Sequence, residues 1–265
     1  MRTLVIIPAR YASTRFPGKP LAQLCGKPVI QWVWERVSAI GAVTDAVVAT
    51  DDERILQAVE SFGGRAMMTS DRHRSGTDRC GEVLQHLEAG DRSYDVVVNV
   101  QGDEPFVDTR QLETLLAAFS DPAVEIASLM CPIRSLDELL SPNNVKVVCS
   151  QQGDALYFSR QPIPFMRGVE QDQWVEKGQY FKHVGIYAFR AETLKRVVAL
   201  SPSALEGSES LEQLRWLENG YRIRMCVTDH TNIGIDTPED LAEAERELKA
   251  SGTSSTSSTS GTSRE

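Results

Sequence analysis

The chain predicts an α/β fold built on a mixed, mostly parallel sheet, and three observations carry that expectation. Short apolar, β-branched runs alternate with helical patterns along most of the length, the pattern of βαβ units. The first run, Leu4-Val5-Ile6-Ile7, empties into a loop of small and cationic residues, as a buried strand feeding a ligand loop does. The last segment opens with Asp236-Thr237-Pro238-Glu239-Asp240-Leu241, a clear helix start. Thr237 suits the cap, Pro238 the first helical position, and Glu239 and Asp240 the positive end of the macrodipole.

Taken in order, strands are expected at residues 4–8, 46–50, 96–100, 126–132, 145–150, 184–190 and 222–227, with a weaker one at 65–68. Helices are expected at 29–40, 53–62, 77–87 and 109–119, and Leu211, Leu214 and Leu217 read as core positions of another. Residues 162–178 hold two prolines and two glycines with no clean period, which predicts a long excursion from the sheet. In the final helix Leu241, Ala244 and Leu248 form one apolar stripe. After Ala250, Ser, Thr and Gly fill 13 of 15 positions. The expectation is one domain over residues 1–250 followed by a disordered tail, Ser251–Glu265, because such a composition cannot build a core.

Composition excludes several classes. With 265 residues, 41% hydrophobic and 25% charged, the chain can bury a substantial core. A net charge of −9 argues against a general nucleic-acid binder. Five cysteines, none in a Cys-x-x-Cys pair, favour a reducing, cytoplasmic setting over a disulfide or zinc framework. The N-terminal apolar run stops at Pro8, too short for a signal peptide or a membrane span.

Cations gathered in one loop of an acidic chain point to an anionic ligand. Pro8-Ala9-Arg10-Tyr11-Ala12-Ser13-Thr14-Arg15-Phe16-Pro17-Gly18-Lys19 offers small residues for close backbone approach and three cations for charge-assisted hydrogen bonds. It is neither a Walker loop nor a dinucleotide fingerprint, and a merely basic surface loop is the competing reading. A second constellation, Asn99-Val100-Gln101-Gly102-Asp103-Glu104-Pro105, places a carboxylate beyond a strand end, where open sheets bind ligands and Asp suits Mg²⁺. Taken in isolation, the motif reads first as an ordinary Gly-Asp turn. A third carboxylate, Asp236, either faces a metal or caps the last helix itself. His73-Arg74-Ser75-Gly76-Thr77-Asp78-Arg79 reads first as a helix N-terminus capped by Ser75 or Thr77, and otherwise as a base or ribose reader. Arg160, His183, Tyr187, Glu212 and Gln213 together suit a polyhydroxylated acid, although a structural histidine is the commoner fate of a residue such as His183. Jointly, a cationic loop and two acidic strand ends are what metal-assisted nucleotidyl transfer requires.

The motifs, in this order over about residues 1–250, resemble the 3-deoxy-manno-octulosonate (Kdo) cytidylyltransferase family. The resemblance rests on Ile7 to Pro20, His73-x-Ser75-Gly76-Thr77-Asp78-Arg79, Asn99 to Pro105, Ala155-Leu156-Tyr157-Phe158-Ser159-Arg160, His183-x-Gly185-Ile186-Tyr187, Leu211-Glu212-Gln213-Leu214-Arg215 and Asp236 to Leu241. The stretch Thr228 to Ile233 and the Ser/Thr tail lie outside it. The resemblance implies a three-layer, Rossmann-like nucleotidyltransferase fold, a homodimer, and the reaction CTP plus Kdo giving CMP-Kdo and pyrophosphate with Mg²⁺, for lipopolysaccharide synthesis. It implies Arg10 and Lys19 as catalytic cations and Asp103 and Asp236 as metal ligands. Pro8, Ala9, Arg10, Lys19, Ser75, Gly76, Arg79 and Gln101 would bind the nucleotide. Arg15, Gln101, Arg160, His183, Tyr187, Glu212 and Gln213 would bind the sugar acid. Two other readings stand beside it: activation of a related acid, such as sialic acid or an amino-substituted Kdo, and a catalytically silent nucleotide binder.

Overall fold

A computed structural model describes residues 1–13, 15–230 and 234–253, without the side chains of 251–253. Thr14 of the first motif, Thr231, Asn232 and Ile233, and positions 254–265 lie outside the described residues. The first half contains β1 (Thr3–Ala9), β2 (Gln23–Leu24), β3 (Lys27–Pro28), α1 (Val29–Ser38), β4 (Asp45–Thr50), α2 (Glu53–Ser61), β5 (Ala66–Met68), α3 (Gly76–Ala89), β6 (Val96–Asn99) and α4 (Thr109–Ala117). The second half continues with β7 (Ile126–Pro132), α5 (Leu136–Leu140), β8 (Lys146–Cys149), β9 (Ala155–Ser159), α6 (Trp174–Lys177), β10 (Phe181–Arg190), α7 (Ala191–Val197), α8 (Ala204–Glu209), α9 (Gln213–Glu218), β11 (Ile223–Val227) and α10 (Pro238–Thr253).

The main sheet runs β11-β7-β10-β6-β1-β4-β5, with β8 on β10 and β9 on β8. β1 is parallel to β4 and β6, β4 to β5, and β7 to β11. β10 reverses direction between β6 and β7. The expected mixed, mostly parallel sheet is therefore present. Strand periodicity builds the layers. Leu4 and Ile6 face a core closed by Val83 and Leu84 of α3 and Leu194 of α7, while Val5 and Ile7 face Ile30 of α1, Ile55 of α2 and Leu112 of α4. Apolar alternation on both faces demands helices on both faces, hence three layers.

Four expectations are adjusted. β9, not expected as a strand, pairs with β8, although Leu156 within it stays exposed. The excursion at 162–178 contains the short helix α6, whose buried Trp174 packs with Ile133, Leu139 and Tyr180 in a small core of its own. Helix α1 ends at Ser38, two residues early. Helix α10 continues to Thr253, past the expected boundary at Ala250.

Candidate active site

β1 and β6 lie side by side and parallel, so the loops that leave them emerge at the same edge of the sheet. The first of these loops is closed by the Gly18 N–H, which donates to the Tyr11 carbonyl at 2.8 Å. Gly18 sits at φ 73°, and a Cβ there would stand 3.0 Å from the Tyr11 ring, so both conformation and space call for glycine. The Arg54 guanidinium covers that ring at 3.4 Å. The turn delivers Lys19 into a cleft of about 410 Å³.

The second loop touches the first. Gly102 N–H donates to the Pro8 carbonyl at 3.2 Å, and a Cβ on Gly102 would meet that oxygen at 2.8 Å. The next residue, Asp103, accepts the Ile235 N–H on its carbonyl at 2.8 Å, which brings Asp236 alongside. Thr237 Oγ1 accepts the Asp240 N–H at 3.2 Å, and the Asp240 carboxylate accepts the N–H groups of Asp236 and Thr237. The α10 N-terminus is thus capped without the Asp236 carboxylate. That carboxylate accepts instead from Lys19 Nζ at 3.1 Å and pairs with Arg15 at 3.0 Å, while Lys19 also bonds Asp103. Of the two sequence readings of Asp236, metal-facing or helix cap, the geometry removes the cap; the carboxylate faces Lys19 and Arg15.

Burial pushes the Lys19 ammonium downward, but the charge of Asp103 and its hydrogen bond, joined by Asp236, more than offset it and leave the pKa raised. Arg10 lines the same cleft, exposed, with no hydrogen-bond or ion-pair partner among the described residues. Pro8, Ala9, Ser75, Gly76, Arg79 and Gln101 complete the expected nucleotide set around it. Ser75 is the cap of α3, accepting the Asp78 N–H at 3.1 Å. Arg79 is almost wholly buried, its guanidinium held by Asp51 at 2.8 Å and by Thr69. It contributes the cleft wall, pinning α3 to the ends of β4 and β5. Gln101 donates to Asn99 at 3.3 Å.

The expected sugar-acid residues divide in two. Arg15 and Gln101 line the cleft itself. The others are not among the residues that line it. Because β10 is antiparallel and pairs Tyr187 with Asn99, the last residue of β6, His183 falls beyond the end of β6 at the edge that carries Asp103. His183 lies between Phe158 and Tyr187, ring centroids 5.1 and 5.2 Å away. Desolvation lowers its pKa to about 3, so the imidazole is neutral. Desolvation raises Glu212, whose carboxylate accepts the Thr77 hydroxyl at 2.7 Å, and it raises the Tyr187 phenol, with the Glu212 charge adding to the effect. Gln213 is buried beside Glu212. Arg160 spends its guanidinium on the carbonyls of Glu209, Pro142 and Ser210 at 2.8, 3.0 and 3.4 Å, holding in place the segment that leads to Glu212.

Several supporting groups escaped the sequence reading. Asp51 follows β4 at the carboxyl edge of the sheet, a position that could have flagged it. Glu209 bonds the Ser159 hydroxyl and the Arg160 N–H at 2.7 and 2.9 Å. The fully buried Lys146 gives its ammonium to the carbonyls of Ser141, Asn144 and Arg160. Neither lies in a motif of its own.

A doubly covered α/β sheet with a cationic loop and two converging carboxylates at its carboxyl edge defines the nucleotidyltransferase class. A family model described as cytidylyltransferase matches residues 4–223. A 3-deoxy-manno-octulosonate cytidylyltransferase of Phocaeicola vulgatus is 56% identical over 94% of this chain and 98% of its own. One from Geobacter sulfurreducens is 48% identical over 94% and 100%. The chain belongs to the 3-deoxy-manno-octulosonate cytidylyltransferase family. A solved CMP:2-keto-3-deoxy-manno-octonic acid synthetase complexed with CTP superposes with a TM-score of 0.87 at 43% identity, over 95% of this chain and all of that one. The 4-diphosphocytidyl-2C-methyl-D-erythritol synthase of Anaerococcus prevotii shares the fold, with a TM-score of 0.59 at 14% identity, over 94% and 96% of the two chains.

Proposed function

We propose that this enzyme transfers the cytidylyl group of CTP to 3-deoxy-manno-octulosonate, giving CMP-Kdo and pyrophosphate. The observation that carries the reading is Lys19 held between Asp103 and Asp236 at the mouth of a cleft that also presents Arg10. The anomeric hydroxyl forms the new bond to the α-phosphorus, the bond to the β-phosphate oxygen breaks, and the hydroxyl proton leaves to solvent. Arg10 and Lys19 stabilise charge on the departing pyrophosphate. Fixed cations of this kind need no rearrangement at the moment of reaction.

Asp103 and Asp236 suit Mg²⁺. They are two carboxylates with no group of three or more His, Cys, Asp or Glu ligands among the described residues, and Mg²⁺ keeps waters and takes substrate phosphates to complete its shell. Held there, it would supply positive charge to the phosphate oxygens. Neutral His183, Tyr187, Glu212 and Gln213 would orient the hydroxyl-rich sugar acid, and Arg15 would take its carboxylate. The same reading extends to lipopolysaccharide precursor synthesis by a cytoplasmic homodimer. No described helix is long and apolar enough to cross a membrane.

The test is product identity. CTP, Kdo and Mg²⁺ should yield CMP-Kdo and pyrophosphate in equal amounts. Faster turnover with sialic acid or an amino-substituted Kdo would replace the sugar while keeping the chemistry.

A further inference from the structure

Ser128 lies in β7 opposite the irregular stretch of β10, where the register shifts between Val184 and Tyr187. Its fully buried hydroxyl is 2.9 Å from the Ile186 carbonyl oxygen, 3.3 Å from that of Val184 and 2.8 Å from Nε2 of His183. A hydroxyl carries one proton and two lone pairs, and carbonyl oxygens only accept. With the proton aimed at Nε2, the lone pairs of Oγ would face two carbonyl oxygens in a buried setting, where repulsion is poorly screened. All three contacts are favourable in one arrangement only. The hydroxyl donates to the β10 carbonyls and accepts from Nε2–H. Because burial keeps the ring neutral, a proton on Nε2 leaves Nδ1 with a bare lone pair. No hydrogen bond to Nδ1 is formed among the described residues, and the His183 residue keeps a minor solvent-accessible part.

We infer that Ser128 is a positioning residue for the sugar acid: it fixes the His183 tautomer in which Nδ1 accepts a hydrogen bond from a substrate hydroxyl. This rests on the reading that His183 lines the sugar-acid pocket. It gives the buried Ser128 hydroxyl, remote from the cleft lining, a task in specificity.

Two readouts test it. Nitrogen-15 NMR of the wild-type histidine rings should show His183 as the neutral Nε2–H form. Ser128→Ala should erode that preference and raise KM for Kdo about tenfold, the weight of one hydrogen bond, with KM for CTP nearly unchanged. A wild-type ring protonated on Nδ1, or a variant in which both KM values move together, would overturn the proposal. If the variant does not fold, the wild-type spectrum decides alone. If Kdo is not turned over at all, the substrate reading fails while the spectrum still reports the tautomer.

Discussion

Lys19 and Asp236 are 217 positions apart in the chain, yet their side chains meet at 3.1 Å. The same ammonium bonds Asp103, so one cation joins the turn after β6 to the segment before α10. It neutralises a carboxylate pair that would otherwise repel, and it stands beside the space a triphosphate would fill.

Replacing it should act on turnover. Lys19→Ala is expected to lower kcat at saturating CTP by about 10²–10³, the range for loss of one preorganised charge-stabilising donor. A near wild-type kcat would remove Lys19 from transition-state stabilisation.

The same substitution leaves two facing carboxylates without their shared cation. Direct titration of the nucleotide-free protein with Mn²⁺ should then show tighter binding in Lys19→Ala than in the wild type. Equal affinities would mean that the ammonium does not compete for the site.

Asp236 and Asp240 are close neighbours with separable duties. Asp236→Asn should leave the melting temperature near wild type but shift the Mg²⁺ concentration needed for activity upward, since capping belongs to Thr237 and Asp240. Asp240→Ala should cost about 1 kcal/mol of stability through loss of the cap. Thermal melts and Mg²⁺ titrations distinguish the two. An Asp236→Asn protein that melts early would return Asp236 to a structural role.

Gly102→Ala should destabilise by about 1–3 kcal/mol, because the new methyl would meet backbone, the Pro8 carbonyl at 2.8 Å, which cannot swing aside. Urea unfolding measures it. A neutral result would show that the turn bearing Asp103 relaxes without cost.

His183 predicts a pH dependence of stability. Its ring is held near 3 in the folded chain against an ordinary 6.5, so below 6.5 the unfolded chain binds a proton that the folded chain refuses. Stability from this residue is present above pH 6.5 and is lost as pH falls toward 3. The unfolding free energy of His183→Gln should therefore decline less steeply over that window. Parallel curves would mean that the ring titrates normally.

The parallel strands and the loops after β1 and β6 were legible because strand alternation and small-residue loops are local properties. The reversal of β10 was not, since periodicity carries no direction. Arg79 and Arg160 show the deeper limit. A buried arginine bound to Asp51 and Thr69, or one spent on three carbonyls, has the same local signature as one that grips a ligand. Ser128 left no signal at all in an apolar strand, because its partners come from β10, 55 to 58 positions away. Sequence left Asp236 between a metal-facing and a capping reading, and only the contacts of Thr237 and Asp240 remove the cap.

The most direct test of the account is pyrophosphate release by the purified protein with CTP, Kdo and Mg²⁺, each omitted in turn. The account predicts release only when all three are present, with loss in both Lys19→Ala and Asp236→Asn. Release that persists without Kdo, or none with the complete mixture, would contradict it.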